Sequence, residues 1–289
     1  MRRCAGFLAN ISPRCRLATL AAVLTAQSLS AQSISLDQLL DRMGAYLIEY
    51  ETQLSSVVAD EKFEQNMYFG RGRTGALLES EVAFIRLPGG AEWLGFRDVK
   101  RSNKRPVTSS ELSISEVLTS AAGDMSKALA IANASAKYNL GLPRTINVPT
   151  APLDIIHPMH RQGHRYELQG DERVRGTSTT RIAFTETARP TRVREPSGQN
   201  LVSSGRVWVE PGSGTVWRVE WVYQAENRRP SAPPPPRLRV EFERHGELGI
   251  MVPRVMLEQF SVPSGRGEGR ATYTNFRRFG TSARIVPQR

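Results

Sequence analysis

The sequence predicts an α+β fold: a single large antiparallel β-sheet, curved into an incomplete barrel and packed on a few helices. Three observations carry this prediction. One strongly amphipathic helix is followed at once by a change from helical period to strand period. From about Arg165 onward the chain reads as strands only, at the short, regular spacing of an antiparallel sheet. No internal repeat and no composition break divides the chain, so helix, three strands, helices and about seven strands form one domain over residues 32–289.

The elements follow in order. Ser35-Leu36-Asp37-Gln38 has the form of a capping box, with Ser35 as N-cap and Gln38 reaching back. Leu36, Leu39, Leu40, Met43, Leu47 and Leu54 then recur at helical spacing, giving a helix to about residue 55. From Val57 the period becomes two. Val57, Ala59, Phe63, Met67 and Phe69 share one side, and Asp60, Lys62, Glu64 and Asn66 the other. Residues 77–87 and 93–99 read as two more strands, broken at Pro88-Gly89-Gly90. Helices are expected at 110–119 and 124–138, the second stopping near Asn139 and Gly141. A short helix at 150–156 carries proline in its first turn. Strands are expected at 165–168, 180–187, 205–210, 215–224, 237–244, 253–262 and 270–279. Glu210-Pro-Gly-Ser-Gly-Thr215 reads as a hairpin turn. The run Arg229–Pro236 (RPSAPPPP) is too rich in proline for a strand and reads as an extended, exposed connection.

Composition sets the compartment. Arg2, Arg3, Arg14 and Arg16, then the apolar run 17–24, then Ser28-Leu29-Ser30-Ala31, have the form of a removable secretory peptide over residues 1–31. The apolar run is shorter than the about 20 residues that span a bilayer. Cleavage after Ala31 would leave 258 residues, lower the formal charge from +11 to +7 and remove both cysteines, Cys4 and Cys15. The mature protein is then expected to be periplasmic or secreted, and to lack a disulfide, a zinc-thiolate site and a cysteine nucleophile. Its arginines are scattered along strands and form no basic stripe, which argues against nucleic acid. For an exported protein the natural anionic partners are lipid headgroups and an anionic membrane surface.

Motifs that would name a reaction are weak. Gly70-Arg-Gly-Arg-Thr-Gly75 matches G-x-G-x-x-G, but a dinucleotide loop must join a buried parallel strand to a helix. Here charges alternate along the preceding strand and another strand follows, so a hairpin loop is expected. His157, His160 and His164 form the only histidine cluster. Pro158 and Gly163 oppose the helix that would place imidazoles on one face, so a polar connector is expected and no metal site is assigned. There is no G-x-S-x-G elbow. Asp60 and Glu61 point to opposite faces of a strand, and Glu79 and Glu81 share an outward one. No catalytic residue and no cofactor is assigned.

The aromatic stripe says more. Trp217, Val219, Trp221 and Tyr223 share one face, against Arg218 and Glu220 on the other. Leu238, Val240 and Phe242 repeat the pattern, and Met256, Phe260 and Tyr273 continue it, with Val262 on the same stripe but outside the ligand-binding set. This surface is either a core filled by the helices or a core with a remaining apolar cavity for a lipid. These ten residues are the expected ligand-binding set.

The pattern resembles the LolA-like outer-membrane lipoprotein-sorting carriers, and is similar to uncharacterised exported bacterial proteins. The resemblance rests on the leader, the helix running into a strand with Phe63-Glu64-Gln65, the hairpin from Gly205 to Trp217, Val252-Pro-Arg254, and the closing run from Tyr273 to Phe279. The insert at 110–138 and the proline-rich loop depart from that pattern. The resemblance implies a half-barrel with acyl chains on its concave apolar side. The expected function is therefore a non-enzymatic envelope binding protein for a lipid, acyl chain or lipoprotein. The alternatives are a structural or partner-binding envelope protein with a filled core, and a metal-dependent hydrolase built on the three histidines.

Overall fold

The computed structural model describes residues 34–55, 57–86, 93–107, 114, 130, 133–141, 144–195, 197–262 and 265–279. The leader at 1–31 lies outside these residues. So does the helix expected at 110–119, Ile114 apart, and most of the one at 124–138, of which 130 and 133–136 are helical.

Helix α1 (Leu36–Leu54) begins as its sequence dictates. Gln38 N–H donates to Ser35 Oγ at 3.2 Å and Ser35 N–H donates to Gln38 Oε1 at 3.1 Å, closing the capping box. Such a cap contributes about 1 kcal/mol. Burial contributes more. Leu39, Leu40, Met43, Leu47, Tyr50 and Leu54 are all buried, each worth roughly 1.5–3 kcal/mol. Packing on the sheet, not capping, therefore holds the helix.

The strands are β1 (Val57–Phe69), β2 (Gly72–Arg86), β3 (Trp93–Ser102), β4 (Arg105–Pro106), β5 (His164–Val174), β6 (Thr177–Glu186), β7 (Val193–Arg194), β8 (Asn200–Val209), β9 (Val216–Ala225), β10 (Arg237–Arg244), β11 (Met251–Val262) and β12 (Gly265–Arg278). Helix α2 (Ala151–Ile155) and a 3₁₀ helix (Pro158–Gly163) precede β5. All twelve strands lie in one antiparallel sheet of order β4-β3-β2-β1-β12-β11-β10-β9-β8-β6-β5, with β7 beside β8. The sheet does not close: β4 and β5 are its two edges, so it is an incomplete barrel.

Turn chemistry sets the hairpins. Asn103-Lys104 and Arg175-Gly176 each place two residues at positive φ, the two-residue turn that matches strand twist. The G-x-G-x-x-G segment is likewise a hairpin: Gly70-Arg71 turns and Gly72–Gly75 open β2. The strands run longer than the apolar pattern indicates. β2 and β12 begin in glycine- and arginine-rich stretches whose backbone pairs although few of their side chains are apolar. The two-residue strands β4 and β7 have no periodicity to read.

The registers align Ile182, Val207, Val219, Val240, Met256, Ala271, Phe63 and Leu78 in one row across eight strands. None is more than 1% exposed. They form one core with α1 and with Leu153, Ile155 and Ile156. The outer face carries charge instead. Glu172 meets Arg181 and Arg218, and Arg218 also reaches Glu241. Glu241 in turn takes Arg239 and Arg254. The more exposed of these pairs, such as Arg181–Glu172, add little stability each. They do show why arginine and glutamate alternate with the apolar stripe.

Gly214 fixes how the β8–β9 turn meets α1. Its φ is +76°, and a Cβ there would lie 2.2 Å from the carbonyl oxygen of Arg42. Arg42 Nη1 also donates to Pro211 O at 2.7 Å. Gly214→Val is expected to destabilise the protein by about 2 kcal/mol or more, through left-handed strain plus the clash. Urea unfolding checks this; an unchanged midpoint would refute the contact.

Candidate functional site

The four prolines at 233–236 shape the clearest apolar opening. Proline has no N–H to donate to a ladder, so β10 starts only at Arg237. Arg237 pairs with Val222 on β9 and Gln259 on β11. Its two neighbours continue without it: β9 runs on to Ala225 and β11 to Val262. A notch is left between their ends. The proline segment crosses it, held by Tyr223 N–H donating to Pro236 O at 3.4 Å and Ser261 Oγ donating to Pro234 O at 3.0 Å. The resulting cavity is about 420 Å³. Leu201, Tyr223, Ala225, Ala232, Val262 and the prolines give it a mainly apolar wall, with Arg228 and Glu195 also lining it. Its size falls within the ~300–1,000 Å³ of small-molecule sites. The proline connection is thus only partly the exposed one expected: Pro230 and Ser231 are exposed, while Ala232, Pro235 and Pro236 are half-buried as a roof.

The structure places the ten predicted residues unevenly. Val219, Trp221, Leu238, Val240, Phe242, Met256 and Tyr273 are buried in the main core, with Trp217 and Tyr223 packed against it. Tyr50 of α1 meets Phe242 edge-on at 6.3 Å. Phe260 belongs to a smaller cluster with Met67, Val262 and Leu140. Of the ten, Tyr223 lines the notch. Burial, and then the Glu258 carboxylate, pushes its phenol well above the usual range, so the hydroxyl stays protonated. Sequence reading missed Leu201, Ala225 and Arg228; it placed Val262 on the stripe but outside the ligand-binding set. The available signal was the proline run, read as a breaker but not as the cause of a gap between longer neighbours.

Beside this cavity the inner face turns polar. One row away from the apolar core row, Trp221 and Leu238 are followed by Glu258, Gly269 and Gln65. Arg97 Nη2 donates to Glu61 Oε1 at 2.8 Å, its Nε donates to Glu61 Oε2, and Nη2 also reaches Asn147 O at 3.2 Å. Arg144 Nε donates to Glu258 Oε1 at 2.6 Å. Gln65 accepts from Leu140 N–H and donates to Tyr138 O, at 2.9 and 3.1 Å. The side chains of both pairs are at most 8% exposed. Burial disfavours the Arg97 cation, but the Glu61 charge and hydrogen bonds more than offset that and hold its pKa above the ordinary value. Arg144 also lies over the Phe260 ring, 3.7 Å from its centroid. This network fastens residues 138–140 and 144–147 to the sheet. The strand pattern of β1 contained Glu61 and Gln65 at core parity, but an acid or amide at a core position does not name its partner.

The histidines do not converge. His157 Nε2 lies 3.1 Å from Glu51 Oε1 of α1, and its Nδ1 accepts from Met159 N–H. His164 Nδ1–H donates to His160 O at 2.9 Å. Among the described residues no three His, Cys, Asp or Glu side chains are grouped to hold a metal ion. Burial, then Arg192 and the two neighbouring histidines, lowers the His160 pKa to about 4.

Two outcomes are expected. Glu61→Gln strands the buried Arg97 cation and should cost about 3–5 kcal/mol; Glu61→Leu combined with Arg97→Met should recover much of that loss in the same urea series. His160 stays neutral in the folded chain while the unfolded chain titrates near 6.5. Stability is therefore fully present above about pH 6.5 and declines as pH falls towards about 4, because only the unfolded state takes the proton there. His160→Gln should flatten that part of a stability–pH curve, and an unaltered curve would disprove the assignment.

No protein-family model matches the chain, and no curated protein matches it. Among solved structures it is similar to a LolA superfamily protein from Nitrosomonas europaea, with 13% identity, a TM-score of 0.41, and coverage of 88% of this chain and 96% of that one. It is similar to a DUF1329 family protein from Desulfovibrio piger, at 14% identity and TM-score 0.43, covering 86% and 98% of the two chains. It is also similar to a putative outer membrane lipoprotein-sorting protein domain from Vibrio parahaemolyticus, at 9% identity and TM-score 0.40, covering 86% and 94%.

Proposed function

We propose that this chain is a non-enzymatic binding protein of the cell envelope that holds a lipid or other apolar ligand. The observation that carries the reading is the notch: a mainly apolar cavity of about 420 Å³, roofed by Pro233–Pro236 and adjoining the aromatic core through Tyr223. Burying an acyl chain there needs no covalent chemistry. Each buried CH₂ contributes roughly 0.8 kcal/mol, so a modest length of chain gives useful affinity. Trp221 packs directly against Tyr223, with ring centroids 5.0 Å apart, and joins it to the main core. Export by the leader places the protein where lipids, acyl chains, lipoproteins and anionic membrane surfaces are the available partners.

A filled-core, partner-binding protein is the second reading. It is favoured by the near-complete burial of Trp221, Val240 and Phe242 against α1.

Lipid extracts of the purified protein, examined by mass spectrometry, and titration with a fluorescent fatty acid separate the two. The expected result is co-purifying lipid and saturable uptake. Ala225→Trp, which fills the notch from a half-buried position, should weaken uptake at least tenfold without loss of folded structure by circular dichroism. Absence of both lipid and uptake would favour the filled core.

A further inference from the structure

The proline roof is fastened by a cation. Arg228 follows the end of β9, its backbone N–H donating to Ala225 O at 3.1 Å. Its Nη2 donates to Ala232 O at 2.5 Å and Pro233 O at 2.8 Å, closing the loop onto the cavity it lines. Its Nε is buried and has no hydrogen-bond partner. Among the described residues no carboxylate pairs with it, unlike the arginines of the neighbouring outer face. Arg218 and Arg239 each touch two glutamates. The nearest acid in sequence, Glu226, is taken by Arg189 at 2.7 Å. Glu195 lines the same cavity without pairing to Arg228.

A half-buried guanidinium against an apolar wall, with its charge uncompensated, is costly unless something neutralises it. We infer that the ligand supplies the missing charge: the notch takes a single-chain amphiphile with an anionic head, a long-chain carboxylate, its tail against Leu201, Ala225 and Val262 and its head on Arg228. Arginine suits this role because Nη2 holds the roof carbonyls while Nη1 remains to meet a carboxylate. This deepens the apolar-ligand reading and rests on it. It adds that recognition is by charge as well as by hydrophobic burial.

Calorimetric titration of the full chain with dodecanoate, dodecanol and inorganic phosphate tests the inference. Dodecanoate should bind at least tenfold more tightly than dodecanol, and phosphate alone should bind negligibly. Arg228→Gln should bring the two amphiphiles close to equal affinity. Arg228→Lys, which keeps the charge but not the paired roof contacts, should retain the preference for the carboxylate. Equal binding of dodecanoate and dodecanol by the unsubstituted protein would overturn the charge inference while leaving the apolar pocket intact. So would a preference that survives in Arg228→Gln. Phosphate binding as tight as that of dodecanoate would make the site a simple anion site and overturn it as well. Failure of both amphiphiles to bind would remove the pocket reading itself. If Arg228→Gln loosens the roof and abolishes all binding, the ratio in the unsubstituted protein and in Arg228→Lys decides.

Discussion

The pairing of β1 with β12 holds this structure together. It is the one place where strands from opposite ends of the chain lie side by side, in register from Val57–Arg278 to Tyr68–Arg266 around one bulge. Without it there would be two separate meanders, β1–β4 and β5–β12. With it a single face is continuous from β2 to β6, and one row of eight side chains can be excluded from water together. Such long-range pairing bears a loop-closure cost before any contact rewards it. The apolar row and the buried face of α1 supply that reward.

The same pairing produces the polar interior. Gln65 on β1 and Glu258 on β11 both face Gly269 on β12, so groups far apart in sequence share one patch of the inner face. Arg144 and Asn147 then satisfy Glu258, and the backbone of Tyr138 and Leu140 satisfies Gln65. A buried ion pair is weak evidence for stability, since apolar replacement is often as good. What these pairs do is specify. Residues 138–141 and 144–147 lie where Gln65 and Glu258 find their partners and where Arg97, held by Glu61, reaches Asn147 O. The inner surface is therefore divided: apolar under α1, polar under 138–141 and 144–147, and open at the notch where β10 stops short.

Most of the fold was legible beforehand. The capping box and the 3.6-residue repeat specified α1. Alternation specified β1, β6 and β10, because a half-buried strand must alternate. The faces of Val219–Tyr223 and of Leu238–Phe242 were assigned correctly, and so was the hairpin at Gly70; at Trp217 a bulge intervenes, so Val216 takes the buried position and Trp217 packs beside the core. Where the side chains on one face are arginine and glycine, as at the starts of β2 and β12, backbone pairing leaves no such trace. The candidate site was less legible. The aromatic stripe marks where apolar surface lies, but a stripe looks the same whether a helix covers it or a ligand does.

Sequence alone determined the elements, the parity of their faces, the charge of the outer face and the proline interruption, because each depends on local stereochemistry and spacing. Only the tertiary structure decided that α1 fills most of the aromatic face, that Glu61 and Glu258 are buried with arginines, and that β9 and β11 outrun β10. Those outcomes depend on relative strand lengths and on partners drawn from distant segments. Four prolines in a row announce a missing ladder. Whether that leaves a pocket is settled by what stands on either side.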